Sequence, residues 1–204
     1  MRPTAGQWMM RPLRLKFDAR WTDDITKECR MPFSLALLVA VVSLGSIQGS
    51  EPTVETLRAR AQERMRQDLA TYSAEDVRTL EDLYQSANRN LRGPDAKAIL
   101  QRVVKEYPKS NRAGSAVLYL AQMSSGAERE AYLKTAIEAH GDAWYGDGVQ
   151  VGAFARVQLA AFYAADGRLA EARVLAREVV DSYPGAVDHN GRSLLEALRS
   201  LNLL

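Results

Sequence analysis

Cysteine and histidine are nearly absent from this chain of 204 residues. There is one cysteine, Cys29, and there are two histidines, His140 and His189. From residue 30 onward the chain has no thiol, which excludes a disulfide framework and a cysteine-based zinc site there. The sequence also lacks a Gly-x-x-x-x-Gly-Lys-Ser phosphate loop, a Gly-x-Ser-x-Gly nucleophile turn and a His-Glu-x-x-His pair. We therefore predict no catalytic residues, no cofactor, no metal site and no enzymatic activity.

An excess of charge of one sign is missing from most of the chain. Residues 1–50 carry seven basic and four acidic side chains, whereas residues 51–204 carry 20 basic and 21 acidic ones. Nucleic-acid binding depends on a one-sided basic field. The near-neutral body does not provide one, so we predict no nucleic-acid partner.

A hydrophobic run long enough for an ordinary membrane span is also missing. Residues 33–47 are uncharged and apolar, but as a helix they would extend only ~22 Å, and a span needs about 20 residues. Lys27 and Arg30 precede the run, and small residues around Gly45 and Gly49 follow it. This pattern predicts an export signal over residues 31–50, cleaved after one of those glycines. An uncleaved N-terminal anchor, which would be the only membrane contact, and a buried core helix are the alternatives.

The first 30 residues show neither helical nor strand periodicity. We interpret residues 1–30 as a disordered leader or a mis-assigned start, with Met31 as the true first residue in the second case. They are excluded from the fold.

From Thr53 onward, apolar residues recur at three-to-four spacing, which predicts about eight helices and no strands. The first stripe runs from Val54 to Tyr72, and Ser73 is placed to cap the next helix. Further helices are predicted over 94–107, from Ser110 or Asn111 to Met123, and over 127–139, 149–165, 169–182 and 193–203. Residues 51–92 would hold the N-terminal helices, including the first repeat helix, and residues 93–204 the repeats with a C-terminal capping helix.

Two segments of this body repeat each other at a displacement of 76 residues. Residues 95–119 match residues 171–195, most clearly where Tyr107-Pro108 matches Tyr183-Pro184. The displacement equals two units of 38, a period typical of stacked helical hairpins. One hairpin cannot bury its apolar face alone, so its neighbours must stack on it.

One unit of this pattern resembles the tetratricopeptide repeat family. The matching positions are Leu159, Ala160, Tyr163, Gly167, Ala172, Val179 and Pro184. The segment around Val103-Val104 and Tyr107-Pro108 is similar to envelope members of that family, which include outer-membrane-barrel assembly and Tol–Pal-associated proteins. The resemblance implies an all-α, short right-handed solenoid of antiparallel helix pairs.

The resemblance also implies that the first helix of each pair lines a concave groove that holds a protein or peptide. The groove positions are then Arg78, Glu81, Gln85, Asn88, Arg89, Ser115, Leu118, Gln122, Phe154, Val157 and Ala161. The alternative for Phe154 and Val157 is packing against a neighbouring helix.

The loop over residues 142–148 is rich in glycine and aromatic residues. Trp144 and Tyr145 form a candidate aromatic contact, with packing inside the fold as the alternative. The candidate metal ligands are His140, Asp142, Asp147, Asp188 and His189, but no two of them have ligand spacing on one helix face. Turn and capping roles are the alternative that we adopt for them.

Together these observations predict an exported, periplasmic scaffold of the bacterial cell envelope that captures a peptide or protein partner in its groove. A structural subunit is the alternative. It would dock through the apolar last helix, with Leu194, Leu198 and Leu201, into a larger or homo-oligomeric assembly.

Overall fold

The computed structural model describes residues 52–204 of the chain. The predicted leader and export signal lie outside these residues. The described backbone forms eight α-helices, one short 3₁₀ helix (Gln67–Ala70) and no β-strand. The helices are α1 (Val54–Arg66), α2 (Ala74–Arg89), α3 (Ala96–Glu106), α4 (Asn111–Gln122), α5 (Gly126–Ala139), α6 (Val151–Ala165), α7 (Leu169–Ser182) and α8 (Leu194–Ser200). None of these helices is both long enough and apolar enough to cross a membrane. The prediction of an all-α fold is confirmed over this part of the chain.

Serine side chains start α2 and α4. The Ser73 hydroxyl accepts a hydrogen bond from the backbone N–H of Asp76 at 3.1 Å, and the Asp76 carboxylate accepts one from the backbone N–H of Ser73. The Ser110 hydroxyl accepts from the backbone N–H of Ala113 at 3.1 Å. These bonds satisfy first-turn amide groups that have no partner inside the helix. The predicted cap at Ser73 is therefore confirmed, and Ser110 rather than Asn111 caps α4.

The helices pack mainly in the order in which the chain forms them. Each of α3 to α7 contacts the helix before it and the helix after it. Further contacts join alternate helices, α2 with α4, α4 with α6, and α6 with α8. Consecutive helical hairpins placed side by side have this contact pattern. The described residues therefore form a helical repeat-like all-α fold.

Helix α6 lies in the middle of the larger apolar core. It contacts α4, α5, α7 and α8, and ten of its 15 residues are buried. The backbone before it comes close, since a Cβ at Gly152 would lie 2.5 Å from the carbonyl oxygen of Gly141. Only a residue without a side chain fits this approach. A helix contacted on so many sides must be apolar nearly all round, as its sequence is.

Helix α1 lies mainly against loops. Leu57 packs on Gly148, where an added Cβ would lie 2.9 Å from the Leu57 Cβ. The Arg64 side chain donates to Asp142 Oδ2 at 2.8 Å and to the carbonyl oxygen of Lys109 at 3.2 Å. Leu57 and Ala61 are the buried residues of α1. Hydrogen bonds of Arg64 and apolar packing of Leu57 therefore both attach α1 to the loops.

The 3₁₀ helix extends this attachment through Asp68. Both carboxylate oxygens of Asp68 accept from the backbone N–H of Asn111 at 3.0 Å, and Arg64 donates to one of them at 2.8 Å. Burial raises the pKa of Asp68, and these two donors oppose that effect. Arg64 and Asp68 therefore join α1 to the start of α4.

Two loops have the same backbone structure. The first bridged loop is residues 140–150, between α5 and α6, and the second bridged loop is residues 183–193, between α7 and α8. Each contains an isolated β-bridge, Trp144 with Gln150 and Val187 with Ser193. Four N–H to C=O bonds of the first loop recur in the second at a displacement of 43 residues. They are 143→140, 145→149, 148→145 and 151→143 in the first, and 186→183, 188→192, 191→188 and 194→186 in the second.

Several predicted helix ends differ from the structure, and α3, predicted over 94–107, spans Ala96–Glu106. Helix α1 ends at Arg66 instead of continuing towards Tyr72, because the 3₁₀ helix follows it. Helix α6 begins two residues after Val149, since residues 149 and 150 belong to the first bridged loop. Helix α8 ends at Ser200, because Asn202 adopts a φ of 55° and the N–H of Leu203 bonds back to the carbonyl of Leu198.

Candidate functional site

A continuous row of rings crosses the helical pairs from α2 to α6. It consists of Tyr84 on α2, Tyr119 on α4, Tyr145 in the first bridged loop, His189 in the second and Phe154 on α6, and we call it the aromatic row. The distances between successive ring centroids are 6.1, 5.8, 4.7 and 5.2 Å. Neighbouring aromatic rings at such distances attract each other beyond the area that they bury. The row therefore connects elements that are far apart in the sequence.

Glu81 and Arg112 form an ion pair at the α2 end of the row. Arg112 donates to the two carboxylate oxygens of Glu81 at 2.7 and 2.6 Å, and its guanidinium lies 4.5 Å from the centre of the Tyr84 ring. Burial would raise the pKa of Glu81, but Arg112 outweighs it and holds that pKa below its usual value. Gln85 donates to the same carboxylate at 2.7 Å. The pair is thus fixed in a bidentate geometry.

Asp147 and His189 form a second polar pair at the other end of the row. His189 Nδ1 lies 2.8 Å from Asp147 Oδ2, and this contact joins the two bridged loops at their tips. The side chain of His189 is 18% exposed and that of Asp147 is 23% exposed, so solvent reaches both. The pair is therefore held by the fold and still accessible to a partner.

The tyrosines between these pairs are neutral phenols. Burial raises the pKa of Tyr84 and of Tyr145 well above the ordinary value, and it raises that of Tyr119 as well. The Tyr145 hydroxyl donates to the carbonyl oxygen of Ser115 at 3.3 Å. Tyr119 is the half-buried member of the three. It is the tyrosine through which the row reaches the surface.

The structure distributes the predicted groove residues between surface and core. Ser115, Leu118, Phe154 and Val157 are buried, while Arg78, Glu81, Gln85, Asn88, Arg89, Gln122 and Ala161 are half-buried or exposed. Glu81 belongs to the ion pair beside the α2 end of the aromatic row, and Phe154 is the last ring at its other end. Loop rings contact two of the buried positions, since Tyr145 bonds to the Ser115 carbonyl and the His189 ring lies 5.2 Å from that of Phe154.

The two aromatic residues predicted to form a contact loop have different surroundings. Tyr145 is 5% exposed and belongs to the row. Trp144 is half-buried, and its backbone N–H and C=O both bond to the side chain of Asn111 at 2.7 Å. Asn111 thereby fixes the start of the first bridged loop.

The candidate metal ligands divide into separate contacts. Asp147 and His189 meet, whereas Asp142 pairs with Arg64 and the Asp188 carboxylate accepts from backbone amides of its own loop. His140 is buried, and burial lowers its pKa. Over residues 52–204 there is no group of three or more side chains able to hold a metal ion.

Sequence reasoning missed three residues of the site, Tyr84, Arg112 and Tyr119. Tyr84 and Tyr119 are 35 residues apart, close to the repeat period, and recurrence of an aromatic residue near that period was a signal for them. Arg112 gave no signal, because nothing in its neighbourhood distinguishes it from the many surface arginines of the chain.

Comparison with known proteins adds no relative to these observations. No protein-family model, curated protein or solved structure matches the chain.

Proposed function

We propose that this chain is an exported binding protein with tetratricopeptide-like repeats that holds a polypeptide partner along the aromatic row. The partner would contact the accessible side chains of the row and of its two polar pairs. Binding alone is proposed, without a chemical step, a cofactor or a metal. The bacterial cell envelope is the proposed location, on the strength of the apolar run over residues 33–47.

The observation that supports binding is that the row is continuous across helical pairs and has polar groups at both ends. Glu81, Asp147 and His189 are 28%, 23% and 18% exposed, so the polar groups are reachable. Tyrosine and arginine are favoured in the centres of protein interfaces because they offer large rigid surfaces with a polar end. A surface of this kind suits an extended segment or a helix of another protein.

Site-specific photo-crosslinking in the full-length protein tests this proposal. A photoreactive residue at Gln122 would lie on the α4 face that carries Ser115 and Tyr119, whereas one at Gln101 would lie on exposed α3. We expect a discrete crosslinked protein from Gln122 and none from Gln101. The substitution Gln122→Arg at the same face should reduce co-purification of that protein, and Gln101→Arg should not. Equal crosslinking from both positions would contradict the proposal.

The second candidate, a subunit that docks through its C-terminal end, has a separate observation in its favour. Leu201 and Leu204 are 38% and 48% exposed. Leu194 and Leu198 are 1% and 0% exposed and belong to the core, so docking would depend on the last four residues. A double Leu201→Ser, Leu204→Ser variant should abolish any concentration-dependent increase in mass measured by sedimentation. The matched control is Leu69→Ser, which changes an exposed leucine outside this end.

A further inference from the structure

His189 is held in one orientation by groups from two elements, the first bridged loop and α6. Asp147 bonds to its Nδ1 at 2.8 Å, and the rings of Tyr145 and Phe154 approach edge-on with centroids at 4.7 and 5.2 Å. A carboxylate accepts hydrogen bonds, so a neutral imidazole in this position carries its proton on Nδ1. Nε2 is then an acceptor. Among residues 52–204 no hydrogen bond to Nε2 is present.

The Asp147–His189 pair carries a net negative charge when the imidazole is neutral. Within the described part of the chain, no lysine or arginine lies within ion-pair distance of Asp147. Asp188, the acidic neighbour of His189 in the second bridged loop, accepts hydrogen bonds from the backbone amides of Asn190 and Arg192 at 2.8 and 2.9 Å. At the opposite end of the row, Arg112 neutralises Glu81. The charge at Asp147 therefore distinguishes this end from the other.

We infer that the Asp147–His189 pair binds the ammonium group of a lysine side chain from the partner. This inference rests on the proposed function and names the chemistry that the partner brings to one end of the row. The ammonium group donates a hydrogen bond to Nε2 of His189 and places its charge near Asp147. Its alkyl chain lies against the half-buried ring of Tyr119. Lysine fits better than arginine, because one acceptor beside one charge suits a compact donor more than a two-pronged one.

Nitrogen NMR of the histidine side chains in the full-length protein tests the site directly. The chain has two histidines, and the buried His140 is an internal reference. The probe is butylammonium, which is the lysine head group, and butyrate is the control with opposite charge. We expect the Nδ1–H tautomer at His189 and a saturable shift of its Nε2 with butylammonium only. The Nε2–H tautomer, no shift, or the same shift with butyrate would overturn the inference.

A pair of matched variants separates the charge of Asp147 from its structural role. In Asp147→Asn the side-chain oxygen still accepts from Nδ1, so the ring keeps its orientation while the charge is removed. We expect this variant to bind butylammonium about fivefold more weakly. Asp181→Asn, which makes the same change at an exposed position of α7, should bind as the unchanged protein does. Unaltered affinity in Asp147→Asn would contradict the inference.

The crosslinking assay at Gln122 distinguishes failure of this inference from failure of the proposed function. A partner that crosslinks at Gln122 equally well in the Asp147→Asn protein leaves the proposed function intact and overturns the lysine site. Absence of any crosslink specific to Gln122 overturns the proposed function and this inference together. A crosslink that weakens with Asp147→Asn and not with Asp181→Asn supports both.

Discussion

The first bridged loop packs against α1 at Gly148, whereas Gly191 in the second has no neighbour among the described residues. Gly148 in the first loop has a φ of 96° and lies beside Leu57 and Arg58, and Gly191 at the equivalent position has a φ of 75° with no described atom within 4 Å of an added Cβ. The hydrogen bonds inside the loops are the same. Local hydrogen bonds and a glycine with positive φ therefore produce the loop structure. The residues packed against each loop determine how much that loop contributes to the stability of the fold.

The loops also contact the α1 segment at equivalent positions. Asp142 in the first loop pairs with Arg64, and Gly185, 43 residues later, lies so close to Pro52 that an added Cβ would be 2.4 Å from its Cδ. One attachment is an ion pair and the other is a steric fit. The same loop structure thus serves two different contacts.

The largest effect should come from Gly148→Ala. The substitution puts a side chain at a strained φ and within 2.9 Å of the Leu57 Cβ. Together these should lower the free energy of unfolding by about 3 kcal/mol, measured by urea denaturation. A loss below about 1 kcal/mol would mean that α1 moves away without cost, and would remove the distinction between the loops.

Asn111→Ala should rank second. It removes the two hydrogen bonds to the backbone of Trp144 that fix the first loop. We expect a loss of about 2 kcal/mol in the free energy of unfolding. The matched change in the second loop is Asn190→Ala, at an exposed side chain, and it should alter stability by less than about 0.5 kcal/mol. Equal losses would contradict the different attachment of the two loops.

Gly191→Ala should cost only the strain of its backbone conformation. No described atom obstructs a Cβ there, so we expect a loss of about 1 kcal/mol in the same urea experiment. The difference between the two glycine variants measures the contact with α1. Similar values for both would show that the packing of Leu57 contributes nothing.

The smallest effect should be a pH dependence specific to the first loop. Burial lowers the pKa of His140 below its ordinary value of 6.5, with Asp142 opposing the shift. As the pH falls through 6.5, the unfolded chain takes up a proton that the folded one does not, so stability decreases. The equivalent residue of the second loop is Tyr183, which lacks this response. The free energy of unfolding should therefore fall less between pH 7 and pH 5 in His140→Gln than in the unchanged protein.

Helices were predictable from the sequence and the relation between the loops was not. Helix α7 was predicted over residues 169–182 and is observed there, because apolar spacing and the Gly167 and Pro184 boundaries are local signals. The bridged loops share few side-chain types, since Tyr145 corresponds to Asp188 and Gly146 to His189. Their similarity lies in backbone hydrogen bonds, which a sequence pattern does not record.

In the candidate site, too, the contacts between distant segments could not be predicted from the sequence. Glu81 and Phe154 were expected from the resemblance to the repeat family, while Arg112 joins the site because α4 places it opposite Glu81 at 2.6 Å. Asp147 and His189 were considered only as weak metal ligands. That they form a pair depends on the tips of two separate loops meeting.

By itself the sequence determined that residues 52–204 are all-α and which segments form the helices, because helix formation depends on neighbours within a turn or two. Apolar spacing did not identify every buried residue, since Leu69 in the predicted first stripe is 43% exposed whereas Asp68 is buried. Only the tertiary structure decided that α1 lies across the loops, that rings from five elements form one row, and that His189 faces Asp147. Those contacts join residues far apart in the chain, such as Leu57 and Gly148, and their energies exist only once the helices have packed.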